Sequence, residues 1–170
     1  MLTKLLGGAL VVGACGGFGF KIAAEHLREE RLLRQLTSAL DYMECELQYR
    51  STPLPELLIK SADEVSRPLK DIFLSIGSAL EEQLAADVVS CVEISLEQYS
   101  YLPSLSYDAL QQLGQNLGHF DIEGQLKGLE AVRQECRRKL DQLSDNRENR
   151  LRGYKTLGLC GGAALAILLL

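Results

Sequence analysis

Glu44 and Glu46, two residues apart in "ALDYMECELQYR", are the carboxylates whose spacing first invites chemistry, as a general acid–base pair. The stretch has a helical pattern, and two positions along a helix turn a side chain by about 200°. The two carboxylates therefore cannot converge on one substrate. His26 and His119 are far apart, and neither stands at zinc-finger spacing from other ligands. The five cysteines, Cys15, Cys45, Cys91, Cys136 and Cys160, are odd in number and form no CxxC pair. That spacing argues against a disulfide framework and for free thiols packed in a core. Neither a Walker lysine loop nor a GxSxG elbow occurs. The inventory predicts no catalytic residue, no cofactor, no metal, and a chain that is not an enzyme.

One cysteine raises a different question. Val12-Gly13-Ala14-Cys15 resembles a lipobox, in which Cys15 becomes the acylated first residue of an exported protein. The same residues also fit an uncleaved membrane helix. No charge occurs in Leu5–Phe20, and none in Thr156–Leu170. With Lys21 snorkelling to the interface, Leu5–Ala24 reaches the length of a span. The later segment is shorter, 15 residues, and crosses if the bilayer thins around it, with Tyr154 and Lys155 at its start.

Flanking charge separates the two readings. Lys21, Arg28, Arg31 and Arg34 follow the first segment, Arg147, Arg150, Arg152 and Lys155 precede the second, and only Lys4 lies on the other side of either. Eight cations against one place the middle of the chain in the cytoplasm and both termini outside. The expected organisation is a transmembrane helix over 1–24, a cytoplasmic helical bundle over 25–155 and a transmembrane helix over 156–170. The alternative is a lipoprotein-like helical domain acting in the envelope. Ala9, Gly13 and Gly17, and likewise Gly158, Gly162 and Ala166, recur every four residues. Such stripes let helix backbones approach in lipid, here each other or, in a homo-oligomer, those of neighbouring subunits.

Residues 25–155 carry 16 basic and 23 acidic side chains, a balance of −7, which argues against nucleic acid. They read as all-α, a compact bundle of about six helices with no sustained period-2 alternation. Leu33, Leu36, Leu40, Met43 and Leu47 trace one face of a helix over about 25–50, stopped at "STPLP". A second helix starts at Pro53–Pro55 and presents Leu54, Leu57, Leu58 and Val65. Ser66 is placed to cap a third at Pro68, with Leu69, Ile72, Phe73, Ile76 and Leu80 inward. A fourth, over about 85–98, buries Val88, Cys91, Val92 and Leu96. A fifth runs over about 106–116, with Gly118 suited to a left-handed C-terminal position. Asp121 caps a sixth, carrying Ile122, Leu126, Leu129, Val132, Cys136, Leu140 and Leu143.

Two surfaces of this bundle invite a partner. Ser38, Tyr42, Glu46 and Tyr49 lie together, roughly opposite the leucine seam, and tyrosines beside a carboxylate suit an interface. The same stripe would equally pack on a sibling helix. Glu44 flanks the seam and is expected to be half-buried and paired. Arg133, Arg137, Arg138 and Lys139 form either a solvated face or a contact for an acidic partner surface or anionic headgroups.

Taken together, Arg34-x-Leu36-x-x-x-Leu40-x-x-x-Glu44-x-Glu46-Leu47-x-Tyr49-x-x-x-Pro53-Leu54 and Leu113-Gly114-x-x-Leu117-Gly118-x-x-Asp121-x-x-x-Gln125 resemble the stage III sporulation protein AB family. So do the chain length, the apolar segment at each end and the order of proline breaks. One departure is the absence of tryptophan, which family members often carry near Cys91. The resemblance implies an endospore-forming bacterium and a membrane complex joining mother cell to forespore. It also implies a soluble part similar to the cytoplasmic domain of the inner-membrane F protein of type II secretion and type IV pilus machines. The implied role is a non-enzymatic scaffold in the mother-cell membrane. Its domain would dock a secretion-type ATPase, the stage III sporulation protein AA, beside other stage III sporulation membrane proteins. Glu44, Glu46, Tyr49, Pro53, Asp121 and Gln125 are the motif positions carried over. A membrane-bound signalling adaptor is a further alternative.

Overall fold

A computed structural model of the chain describes the backbone of residues 2–118 and 121–144, and the side chains of 24–118 and 121–144. Its spine is α1, Leu2–Arg50, one unbroken helix of 49 residues. Within it Leu33, Leu36, Leu40, Met43 and Leu47 are all buried, so the 3,4 spacing marks the core-facing seam. The helix stops where Ser51 turns into the left-handed region at φ 49°, followed by Thr52 and Pro53.

Then come α2, Leu54–Ser61, a single 3-10 turn, Ala62–Glu64, and the helices α3, Leu69–Glu81, α4, Val88–Glu97, and α5, Ser104–Asn116. A sixth helix, α6, covers 122–144. Six helices and no strand occur among the described residues. Consecutive helices from α2 to α5 pack on one another, and α1 touches α2, α3 and α5. Leu129, Val132 and Cys136 of α6 join the same core as Phe73, Ile76, Val92, Leu110 and the α1 seam. Each such side chain contributes roughly 1.5–3 kcal/mol of transfer free energy when fully buried.

Helix starts follow the caps in three cases and depart from them in two. Asp87 accepts a hydrogen bond from the Ser90 amide at 2.7 Å and opens α4 three residues later than its apolar pattern suggests. Asp121 accepts from the Gly124 amide at 2.9 Å, as its position before an apolar run requires. Pro53 and Pro55 open α2. Ser66, by contrast, does not cap α3: its amide and hydroxyl both donate to Gln35 Oε1, at 3.1 and 2.9 Å, tying the α3 entrance to α1. Pro103 has no side-chain donor or acceptor to offer α5, and Glu29 of α1 supplies the missing acceptor, taking the Leu105 amide at 2.8 Å.

Two further expectations change. Ile122 is exposed because it sits at the first turn of α6, beyond the reach of the core. Cys91 and Cys136 are buried, as a core reading of the thiols requires, but Cys45 is exposed, because it lies on the side of α1 turned from the seam. Among the residues whose side chains are described, no helix is long and apolar enough to cross a membrane. The side chains of the two terminal apolar segments, with Ala9, Gly13, Gly17, Gly158, Gly162 and Ala166, lie outside that set, as does His119.

Gly118 has the left-handed conformation its position after α5 suggested, φ 84°. It is also a point of close approach: a Cβ there would stand 2.3 Å from Val88 Cγ2. Strain and crowding act together, so Gly118→Ala is expected to destabilise the bundle by about 2 kcal/mol in urea unfolding of the full chain in mild detergent. A loss below about 0.5 kcal/mol would show that the α5–α6 corner relaxes freely.

Candidate functional site

Three carboxylates do converge in this fold, but on a cation. Arg133 of α6 reaches across to α1, its Nη1 standing 2.8 Å from Asp41 Oδ1 and 2.7 Å from Glu44 Oε2, while Nη2 meets Glu130. The guanidinium side chain is only 19% exposed. A charge this far from water needs partners, and the three acids neutralise it. Glu44 is thus paired and partly buried, in the role its flanking position on the seam implied. The basic run on α6 divides by helix geometry. Arg133 and Lys139 turn inward, whereas Arg137 and Arg138 stay exposed. Arg138 grips Glu135 through both carboxylate oxygens at 2.8 and 2.6 Å and holds that carboxyl below its ordinary range.

Glu46 occupies a different place from the open docking face expected of it. It is buried. Its Oε1 accepts from Arg50 Nη1 at 2.9 Å, its Oε2 accepts from the Thr52 hydroxyl at 2.9 Å, and Lys60 Nζ stands 3.7 Å away. These contacts hold the end of α1, the turn at 51–53 and α2 together. The Lys60 ammonium is raised above its ordinary range chiefly by its hydrogen bond to Glu56, with burial opposing and Glu46 adding a smaller push. Glu46 lies at the edge of the buried arc of α1, and the fold bends the 51–53 turn back over it.

What remains open on that side of α1 is Ser38, Cys45 and Tyr49, with Tyr42 half-buried beside them. Tyr49 is 79% exposed. Leu84, 60% exposed, lies at the same end of the bundle, in the α3–α4 loop, where with Leu80, Val88 and Gly118 it lines a shallow groove. Ile122 is exposed there too. Pro53, Gly118 and Asp121 lie at helix boundaries, and Gln125 is half-buried in the first turn of α6, its amide bonded to the Asp121 carbonyl.

Sequence reasoning missed Glu29. Its signal was present: Glu29 precedes Leu33, Leu36 and Leu40 at +4, +7 and +11, so a carboxylate occupies the leucine register. An acid in that register must find a donor when buried.

The two clusters predict a contrast. Arg133→Met strands Asp41, Glu44 and Glu130 together and is expected to cost about 2 kcal/mol in urea unfolding, whereas Tyr49→Ala should stay within about 0.5 kcal/mol. Equal effects would remove the assignment of Arg133 as the pin between α1 and α6.

An architecture of this kind has known counterparts. A solved structure of stage III sporulation protein AB superposes with a TM-score of 0.63 at 24% identity, over 72% of this chain and 98% of the other, so the two share a fold. The stage III sporulation protein AB of Bacillus subtilis strain 168 is 27% identical over 172 residues, 99% of this chain and all of that protein. The match runs through both apolar ends as well as the bundle, for the family model of stage III sporulation protein AB spans residues 4–170. With the fold shared and nearly the whole length matched, the chain belongs to the stage III sporulation protein AB family.

Proposed function

We propose that the chain is a non-enzymatic, membrane-anchored scaffold of the complex that joins mother cell to forespore, its bundle in the mother-cell cytoplasm docking a secretion-type ATPase, the stage III sporulation protein AA. The observation that carries the reading is the placement of the bundle's two chain ends. Arg133 of α6 meets Glu44 and Asp41 of α1, Arg137 one turn later approaches Asp41, and Gly118 just before α6 lies against Leu54 just past the end of α1. So α6 runs antiparallel to α1 and heads toward the end from which α1 continues back into the apolar segment over 5–24. The second uncharged segment begins at Thr156, 12 residues past the last described residue of α6. An apolar segment before the bundle and another after it in the sequence, with eight of nine flanking cations on the bundle's side, suit a domain seated on the cytoplasmic face of a bilayer.

The opposite end then faces the cytoplasm, and it is where Tyr49, Leu84 and Ile122 are exposed. An exposed tyrosine with neighbouring apolar side chains is the composition of an interface anchor. The docking surface assigned to the ATPase is therefore this distal end, built on Tyr49 and Tyr42, with Glu46 supporting it from beneath. Neighbouring stage III sporulation membrane proteins would meet the scaffold through the small-residue stripes of its membrane segments.

A second reading keeps the bundle outside the membrane on an acylated Cys15. Cys45 separates the two. A membrane-impermeant maleimide applied to intact sporulating cells is expected to leave Cys45 unlabelled and to label it after the membrane is opened. Cys136 supplies the folding control. Burial pushes its thiol up to about 11 from 9.0, which leaves about a hundredfold less thiolate, so it should react only after denaturation. Labelling of Cys45 in intact cells would place the bundle outside and end the motor-platform reading.

Docking is tested separately. Tyr49→Ala combined with Leu84→Glu should abolish co-purification with the ATPase while leaving urea stability within about 1 kcal/mol. Undiminished co-purification would rule out the distal end as the ATPase contact.

A further inference from the structure

The end of the bundle nearest the apolar segment carries its own exposed amphipathic group. Leu27 is 43% and Tyr101 is 55% exposed. The Arg28 guanidinium lies over the Tyr101 ring, 5.5 Å from its centroid, and Tyr99 meets Tyr101 edge-on with centroids 6.0 Å apart. Tyr101 stands in the turn between α4 and α5, and the Glu29–Leu105 hydrogen bond clamps the start of α5 to α1 at this height. A tyrosine, a leucine and a snorkelling arginine presented at one height are the side chains that settle at a membrane–water boundary.

Depth can be read along α1, because it is a single helix from Leu2 to Arg50. Leu27 and Arg28 follow Ala24, the end of the apolar segment, by three and four residues. That is roughly 4–6 Å of axial rise at about 1.5 Å per residue. The headgroup layer beyond the hydrocarbon core is itself roughly 5–8 Å deep on each side. Tyr101, held against Arg28, lies at the same height.

We propose that the α4–α5 turn, led by Tyr101 and joined by Leu27 and Arg28 of α1, is an additional membrane contact that seats in the lipid headgroup layer beside the first apolar segment. The inference rests on the membrane anchoring argued under the proposed function. Leu27 and Tyr101 bury their apolar faces among the upper acyl chains, and Arg28 offers its guanidinium to lipid phosphate. With two apolar segments tethering the domain at its chain ends, a contact through the α4–α5 turn, off the axis of α1, further restricts tilt and rotation and sets which side of the bundle faces the neighbouring membrane proteins. The distal tyrosine, Tyr49, is then held some 33 Å further along α1, well clear of the lipid, at about 1.5 Å per residue.

The chain has no tryptophan, so a single substitution creates a lone indole that can be excited apart from the tyrosines. Tyr101→Trp, Leu27→Trp, Tyr49→Trp and Phe20→Trp variants of the full chain are reconstituted into phosphatidylcholine–phosphatidylglycerol vesicles, with and without bromine on the upper acyl chain. Helical content is checked by circular dichroism. Phe20→Trp reports the apolar segment, and Tyr49→Trp reports the distal end. The Tyr101→Trp and Leu27→Trp proteins are expected to lose roughly half their emission in brominated vesicles, because aromatic rings settle at the membrane–water boundary, with Tyr49→Trp unchanged. Quenching of Phe20→Trp while Tyr101→Trp behaves like Tyr49→Trp overturns the additional contact and leaves the anchor standing. Absence of quenching in Phe20→Trp, Leu27→Trp and Tyr101→Trp alike removes the anchor and the contact together.

Discussion

The bundle depends on one constraint: a single helix must serve as both the wall of the core and the continuation of an apolar segment. Leu33, Leu36, Leu40, Met43 and Leu47 supply the seam of buried α1 side chains on which the other helices close. The shorter helices around it depend on that surface, since isolated helices under about 15 residues are marginal in water. The neighbours are short, from 8 to 13 residues in α2 through α5, and of these only α3, with Leu69, Ile72, Phe73 and Ile76, offers a comparable buried face. Removing burial from α1 would take away the surface against which α2, α3 and α5 pack.

Polar side chains on α1 convert that surface into a set of fixed attachments. Glu29 holds the entrance of α5, Gln35 the entrance of α3, Glu46 the turn into α2, and Asp41 with Glu44 the middle of α6. Each lies on the rim of the leucine seam or within it, where a neighbouring backbone or cation comes within hydrogen-bond reach. Burying such groups costs desolvation, and the partners offset it. What they add is register: a leucine surface tolerates sliding, whereas a carboxylate that must meet one particular amide does not. The acidic balance of the middle of the chain is thus partly internal architecture.

These attachments also divide the molecule along its axis. At one end α1 continues toward the apolar segment, with Tyr101, Arg28 and Leu27 beside it. At the other lie Tyr49, Leu84 and Ile122, around corners made by Ser51, Gly118 and Asp121. The scaffold role proposed above, linking a bilayer to a soluble motor, would use two such separated surfaces and a stiff body between them. Helices packed at interior density on a shared axis transmit displacement with little compliance.

Helix periodicity, proline positions and the local caps were enough to mark most of the elements and nearly all of the core, because these signals act within a few residues of the chain. The spacing of the α1 leucines, the apolar face of α4 and the left-handed glycine after α5 all needed only neighbours three or four positions away. The candidate surface was harder to read for the same reason. Glu46 and Tyr49 share a helical stripe in sequence, yet one is enclosed and the other open, since the 51–53 turn folds back over the first and not the second. Ser66 looks like a cap until Gln35, 31 residues away, takes its hydroxyl and amide. Pairings such as Arg133 with Asp41, across 92 residues, depend on which helices become neighbours, and that is set by the closing of the whole core. Local chemistry therefore determined what each segment would be. Only tertiary packing decided which polar side chains would be used up inside the protein and which would be left to meet a partner.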